Sequence, residues 1–200
     1  SFAVTIPSTT PLGTQDIRVF DDVESATIGV ATTVEVTGLS MTLTPESAVA
    51  NQALTVSGSG FAGSAALSSI TVAGQAVTAL TDGTTIANKD TDNSGNLVAT
   101  FLIPTDETTR TAGTHSVTIT DETGRVGAAD VTIPARTLTI DPTESRRGST
   151  ISFTGDGYQA SATVSITYGG AATPSTTVTS DSSGNITGSF LVGTTVGIPS

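Results

Sequence analysis

The chain has 200 residues, room for one large domain or two small ones, with no Cys or Trp and single copies of His (His115), Lys (Lys89) and Met (Met41). Disulfide scaffolds, thiolate metal sites and cysteine nucleophiles are thereby excluded, and any Ser–His pair has to use His115. Seven basic against eighteen acidic residues give a formal charge of −11, which repels nucleic-acid phosphate and anionic lipid alike, and no apolar run approaches the roughly 20 residues of a membrane helix.

Taken in chain order, the predicted elements are strands. The chain begins at Ser1 rather than Met, which reads as a processed or excised end, and Phe2 to Pro7 and Gly13 to Asp22 follow as the first extended segments. Leu97, Ala99, Phe101 and Ile103 then hold one parity while Val98, Thr100 and Leu102 take the other face. The same period-two alternation runs through Val117/Ile119, Val131/Ile133, Ile151/Phe153 and Val164/Ile166/Tyr168. The intervening positions are mostly Thr and Ser, 41 and 23 in all. Thr is stiff at χ1 and suits an extended backbone, with its hydroxyl left for solvent. No window carries a 3.6-residue apolar stripe, and twenty-one Gly and eight Pro interrupt the strands at the spacing of a small antiparallel sandwich. The predicted class is all-β.

The chain also repeats itself. Met41 to Phe61 (MTLTPESAVANQALTVSGSGF) aligns without a gap on Leu138 to Tyr158 (LTIDPTESRRGSTISFTGDGY), so that Pro45 falls on Pro142, Gly58 on Gly155, Gly60 on Gly157 and Phe61 on Tyr158. Further on, SGNLVATFLI from Ser94 aligns with SGNITGSFLV from Ser183, and Phe101 falls on Phe190. The offset drops from 97 to 89 residues between these blocks, which places a deletion of eight between them and marks Ala79 to Lys89 as the elaborated region. A third copy is present in its later half: Phe2 to Pro7 resembles Phe101 to Pro104, and GTQDIRVFDD from Gly13 resembles GTHSVTITDE from Gly113. The Gly-x-Gly-aromatic turns at Gly58/Gly60 and Gly155/Gly157 predict positive φ or a close backbone approach, just before Phe61 or Tyr158 plugs the core.

This pattern resembles the Ig-like tandem repeats of prokaryotic cell-surface proteins, including S-layer-like proteins and adhesin stalks, with a turn similar to that of the IPT/TIG group. The resemblance implies tandem Ig-like antiparallel β-sandwiches. Residues 1–40 would be the C-terminal half of one repeat (strands E to G), 41–134 a complete sandwich, and 137–200 strands A to E of a further repeat. It implies no catalytic residue. The expected role is a non-enzymatic structural module of an extracellular surface array or stalk, a spacer and self-assembly domain whose partners are neighbouring copies or adjacent Ig-like repeats. The alternative is a binding or accessory module that recognises a glycan or protein through loops at a sandwich end. The incomplete ends admit two explanations, an excerpt from a longer array or completion between molecules by strand addition.

Three local features remain. Asp90-Thr91-Asp92-Asn93-Ser94-Gly95 matches the opening of a calcium loop, with Asp90, Asp92 and Ser94 as Ca²⁺ ligands, but Phe101 stands where the terminal Glu should be. The same residues also suit a plain strand-connecting turn, as they do in Thr179 to Gly184. Asp21, Asp22 and Glu24, like Asp121 and Glu122, read as weaker candidates or as solvated loops. Asn185-Ile186-Thr187 is a glycosylation sequon, which makes Asn185 the candidate for a glycoprotein modification. His115 has Gln15 as its counterpart, and Lys89 sits in a loop between Asn88 and Asp90, where it has little use as an isopeptide donor. No G-x-S-x-G elbow is present.

Overall fold

Alternating Thr and branched apolar residues produce segments with one wet and one apolar face, and such faces are stable only when two sheets close on each other. In the computed structural model, which describes residues 13–20, 29–36, 38–168 and 176–192, the segments are strands throughout. They are β1 (Gly13–Phe20), β2 (Gly29–Val36), β3 (Ser40–Thr44), β4 (Ala53–Ser59), β5 (Leu67–Val72), β6 (Gln75–Ala76) and β7 (Leu97–Leu102). Then follow β8 (Gly113–Asp121), β9 (Val126–Ile133), β10 (Thr139–Asp141), β11 (Thr150–Gly155), β12 (Thr163–Ile166), β13 (Thr176–Thr179) and β14 (Ile186–Leu191). The all-β expectation holds. The only helical elements among the described residues are 3₁₀ turns at Ile86–Asn88 and Thr108–Arg110.

Strands β3 to β9 make one sandwich. One sheet has the order β3-β4-β7 and the other β6-β5-β8-β9, with every pairing antiparallel. After Pro45 the chain leaves the first sheet, and Ser47 bridges Thr132 of β9 in parallel, with the Ala48 N–H donating to the Thr132 carbonyl at 3.0 Å. The inner faces supply Leu43, Leu54, Val56, Leu97 and Phe101 from one side and Ile70, Val72, Val117, Ile119 and Val131 from the other. Phe101 is fully enclosed, while Val98 and Leu102, of opposite parity, are 59% and 46% exposed, as the alternation requires. Burying two Phe rings and fifteen branched aliphatic side chains supplies most of the driving force. The elaborated segment folds over the lower part of this core: Ala79 bridges Thr85, and Leu80 and Ile86 are drawn inside.

The remaining described strands form a two-stranded hairpin and two small sheets. β1 and β2 are a hairpin in the same register as β8 and β9: Gly13 faces Val36 as Gly113 faces Ile133, and Gln15 faces Val34 as His115 faces Val131. The strand expected around Phe2 lies outside the described residues, as do Asp21, Asp22 and Glu24. β10-β11-β14 repeat the order of β3-β4-β7, and β12 pairs with β13. Their small core gathers Ile151, Phe153, Ile166, Ile186 and Phe190, with Tyr158 and Val164 against it. Tyr168, expected inward from its parity, is 41% exposed, with its ring centroid 5.8 Å from that of Phe190.

Candidate functional site

The repeated Gly-x-Gly-aromatic turn receives the chain that enters each sandwich. Gly60 has φ +87° and Gly157 φ +80°, a region in which side chains are strained. Both also face incoming backbone: a Cβ on Gly60 would lie 2.7 Å from the Gly38 carbonyl oxygen, and one on Gly157 2.5 Å from that of Ala135. Gly58 and Gly155 leave room for the rings that follow, since a Cβ there would come within 2.8 Å of Phe61 and 3.0 Å of Tyr158. Phe61 is buried as a core plug, as expected, and Tyr158 is half-buried. At the second seat the Thr137 N–H donates to the Asp156 carbonyl at 2.9 Å, and its hydroxyl meets the Asp156 side chain at 3.1 Å. The turn is a socket for the linker.

A second contact locks the sandwich to the strands that follow. The bend between β3 and β4, Ala48–Asn51, is apolar up to Asn51, which takes φ +65°. The Ala160 N–H donates to the Ala50 carbonyl, and Asn51 Nδ2 donates to the Ala160 carbonyl, both at 2.9 Å. Val49 sits against Gly184. Val49, Ala50 and Ala160 are all buried as a result. Two reciprocal hydrogen bonds and an apolar patch therefore join the far end of one unit to the near end of the next. None of these residues was singled out from sequence; an apolar triplet at a bend, where polar residues belong, is the signal that marks them.

The acidic turns share one geometry. In the candidate calcium loop, Asp92 Oδ1 accepts the N–H groups of Ser94 and Asn96, both at 2.8 Å, and Oδ2 accepts Asn96 Nδ2 at 2.8 Å. Asp181 repeats this with Ser183 and Asn185 at 2.8 to 2.9 Å. Hydrogen bonds from the Asn96 backbone and side chain hold the Asp92 carboxyl below its ordinary value, and those from Asn185 do so for Asp181. Both oxygens of Asp92 already serve the turn, Oδ1 with two donors and Oδ2 with one. Asp90 is exposed, with its backbone bridged to Ala66, and Ser94 is exposed. Among the described residues no three His, Asp or Glu side chains converge as a metal-binding group.

Thr91, between the two aspartates, turns inward. Its hydroxyl donates to the Ala62 carbonyl at 2.5 Å and accepts the Ala65 N–H at 3.0 Å; Ser180 does the same with Gln159 and Ala162 at 2.5 and 3.0 Å. Asp121 corrects the sequence reading more strongly. It is not solvated but 1% exposed. Burial opposes its charge, yet the Ala62 N–H, the Thr123 hydroxyl and N–H and the Arg125 N–H all donate to it, and together they hold its carboxyl below the ordinary value. Asp121 thus ties the turn after β8 to the residue after Phe61.

The other candidates are dispersed. Asn185 is exposed, and its Nδ2 donates to Asp181. His115 is half-buried on β8, with Nε2 2.8 Å from the Thr111 carbonyl, so Nε2 carries a proton. Lys89 follows the 3₁₀ turn at Ile86–Asn88. No helix among the described residues is long and apolar enough to cross a membrane. No protein-family model matches the chain, and no curated protein matches it.

Proposed function

We propose that this chain is a non-enzymatic structural segment of an extracellular surface array or stalk, built of Ig-like sandwiches in tandem that serve as spacer and self-assembly domains. The observation that carries this reading is the joint. A linker seated in a glycine socket, backed by the Ala160–Ala50 and Asn51–Ala160 hydrogen bonds, removes the freedom that a flexible linker would leave between units. The residues that recur between units serve turns and joints: Thr91 and Ser180, Asp92 and Asp181, Gly60 and Gly157. A surface with formal charge −11 and Thr-rich outer faces suits an exposed spacer. Small-angle scattering at low concentration is the test, and an elongated particle is expected. A compact globule, or units that tumble independently by NMR relaxation, would overturn the reading.

A second reading rests on one observation. A cleft of about 420 Å³ lies where the elaborated segment meets the end of β7, lined by Val77, Leu80, Thr81, Leu102, Ile103 and Pro104. A binding or accessory module would place a glycan or a segment of a partner protein there. Glycan-array binding abolished by Thr81→Arg, at an exposed position lining the cleft, with the fold intact by circular dichroism, would favour it.

A further inference from the structure

Alternation gives each sheet of the closed sandwich one wet face, and the two wet faces differ in charge. Strands β3, β4 and β7 contain no charged residue. Their outward positions run in rows across the sheet, Thr44–Thr55–Thr100 and Thr42–Ser57–Val98. The matching strands β10, β11 and β14 carry one charge, Asp141. The wet face of β9 holds Asp130, and the β1–β2 hairpin, in the same register as β8 and β9, holds Asp16, Arg18 and Glu35. The neutral face is also partly apolar. Val98 is 59% and Leu102 46% exposed, and Leu191, which falls on Leu102 in the repeat, is 61% exposed. A leucine thus stands twice at the same outward position, where the alternation calls for Thr or Ser. Residues 38–134 are described without a gap, and none of them covers Val98 or Leu102.

We propose that this face is the lateral contact between copies: the β3-β4-β7 face of one chain packs sheet on sheet against the same face of another, and the β10-β11-β14 face does likewise through Leu191. The inference deepens the self-assembly role proposed above and rests on it. Charge selects a second copy and the place where it meets the first. Two chains of formal charge −11 repel wherever their acidic turns approach, whereas an uncharged face lets them touch with the carboxylates kept to the turns. The face is also prepared to lose water. The Thr55 and Thr100 hydroxyls are bonded to each other at 2.9 Å, and the Thr42 hydroxyl donates to the Ser57 carbonyl at 3.4 Å, so burial strands few polar groups. Threonine methyls then interdigitate with Val98 and Leu102 across a gap of about 10 Å between sheets. Three strands about 4.8 Å apart and six residues long give roughly 300 Å² per face. A contact of about 600 Å² is below the roughly 1,000 Å² of a stable pair, so each is weak and the assembly holds by number.

Sedimentation equilibrium of the full chain tests this. The mean mass should rise above 19.9 kDa as the concentration approaches millimolar. The rise should be larger at about 1 M than at about 0.05 M salt, because salt screens the repulsion and strengthens apolar burial. Val98→Glu combined with Leu191→Glu puts a carboxylate on each face and should raise the concentration needed for association at least about tenfold. Val98→Glu alone is compared with Val126→Glu, which removes the same apolar side chain, 55% exposed on β9, and adds the same charge. The second variant should stay within about twofold of the unaltered chain. Thermal melts check that each variant folds, and Ser57→Glu, at an exposed position of β4, repeats the test if Val98→Glu does not. A mass fixed at 19.9 kDa at every concentration and salt, or equal weakening by Val98→Glu and Val126→Glu, overturns the proposal. A monomer that is elongated in dilute scattering but never associates defeats this inference and leaves the structural reading standing, whereas a compact monomer defeats both.

Discussion

Leu43 and Ile140 occupy the same place in two sequences that align residue for residue, yet one is 6% exposed and the other 38%. The closed sandwich and the strands after it share several local devices. Thr44–Pro45 and Asp141–Pro142 are both cis, Ser64 and Ser161 have φ of 54° and 53°, and the Asp92 and Asp181 turns agree to within 0.1 Å. What differs is enclosure. Turns and hydroxyl clamps form wherever a few neighbouring residues supply donors and acceptors, but burial in the closed sandwich depends on the two strands β8 and β9, which have no counterpart among the described residues after β14. The comparison also separates the joints. Ala48–Asn51 is apolar and docks on Ala160, whereas the matching bend, Ser145-Arg146-Arg147-Gly148, keeps the positive φ at Gly148 but presents two exposed arginines. A unit seated against that bend would meet charge instead of methyl groups.

Unequal enclosure predicts unequal cost of the same truncation. Phe101→Ala, at a wholly buried site, is expected to destabilise the closed sandwich by roughly 3–5 kcal/mol. Phe190→Ala should cost less than half as much, because its described core is smaller and Phe190 is 8% exposed. Denaturant melts followed by hydrogen exchange at β7 and β14 would check this, and equal losses would break the comparison.

Asp121 is next. Asp121→Asn turns one acceptor into a donor facing the Ala62 N–H, and a buried donor left unsatisfied costs about 1–3 kcal/mol. The native state favours the ionised form of Asp121, so the stability it contributes is fully present above the unfolded-state value near about 4. It is lost as the pH falls through the lower folded-state value. Urea midpoints should therefore decline in acid more steeply for the natural chain than for Asp121→Asn, and parallel profiles would show that the carboxylate is not the group responsible.

Asn51 separates conformation from contact. Asn51→Ala keeps neither the tolerance for φ +65° nor the bond to Ala160, and should cost roughly 1–2 kcal/mol. Asn51→Gly keeps the backbone angle and loses the bond alone. Its expected signature is unchanged melting of the closed sandwich with greater mobility of residues 139–191 relative to it, read by NMR relaxation. The smallest effect belongs to His115→Gln, which restores the residue found at Gln15 and should lie within about 0.5 kcal/mol. A specific activity lost in that variant, with stability intact, would contradict a structural role.

Much of this was legible in the residues themselves. The parity of Leu97, Ala99, Phe101 and Ile103 identifies a buried strand face because a pleated backbone allows no other arrangement. The Gly-x-Gly-aromatic repeat marks a close approach, since no other residue tolerates both the angle and the contact. Asp-x-Ser-Gly-Asn describes a turn through its own donors and acceptors. Other features depend on distant segments that local sequence does not name. Asp121 and Glu122 look alike on the page, yet only Asp121 is buried, because the chain after Phe61 passes over it and aims an N–H at its carboxylate. Ala50 and Ala160 carry no sign of each other across more than a hundred residues of chain; their hydrogen bond exists because one unit ends where the next begins. Period and propensity act over a few residues and were determined by the sequence alone. Burial and the joint are properties of which segments stand opposite one another, and only the tertiary structure decided them.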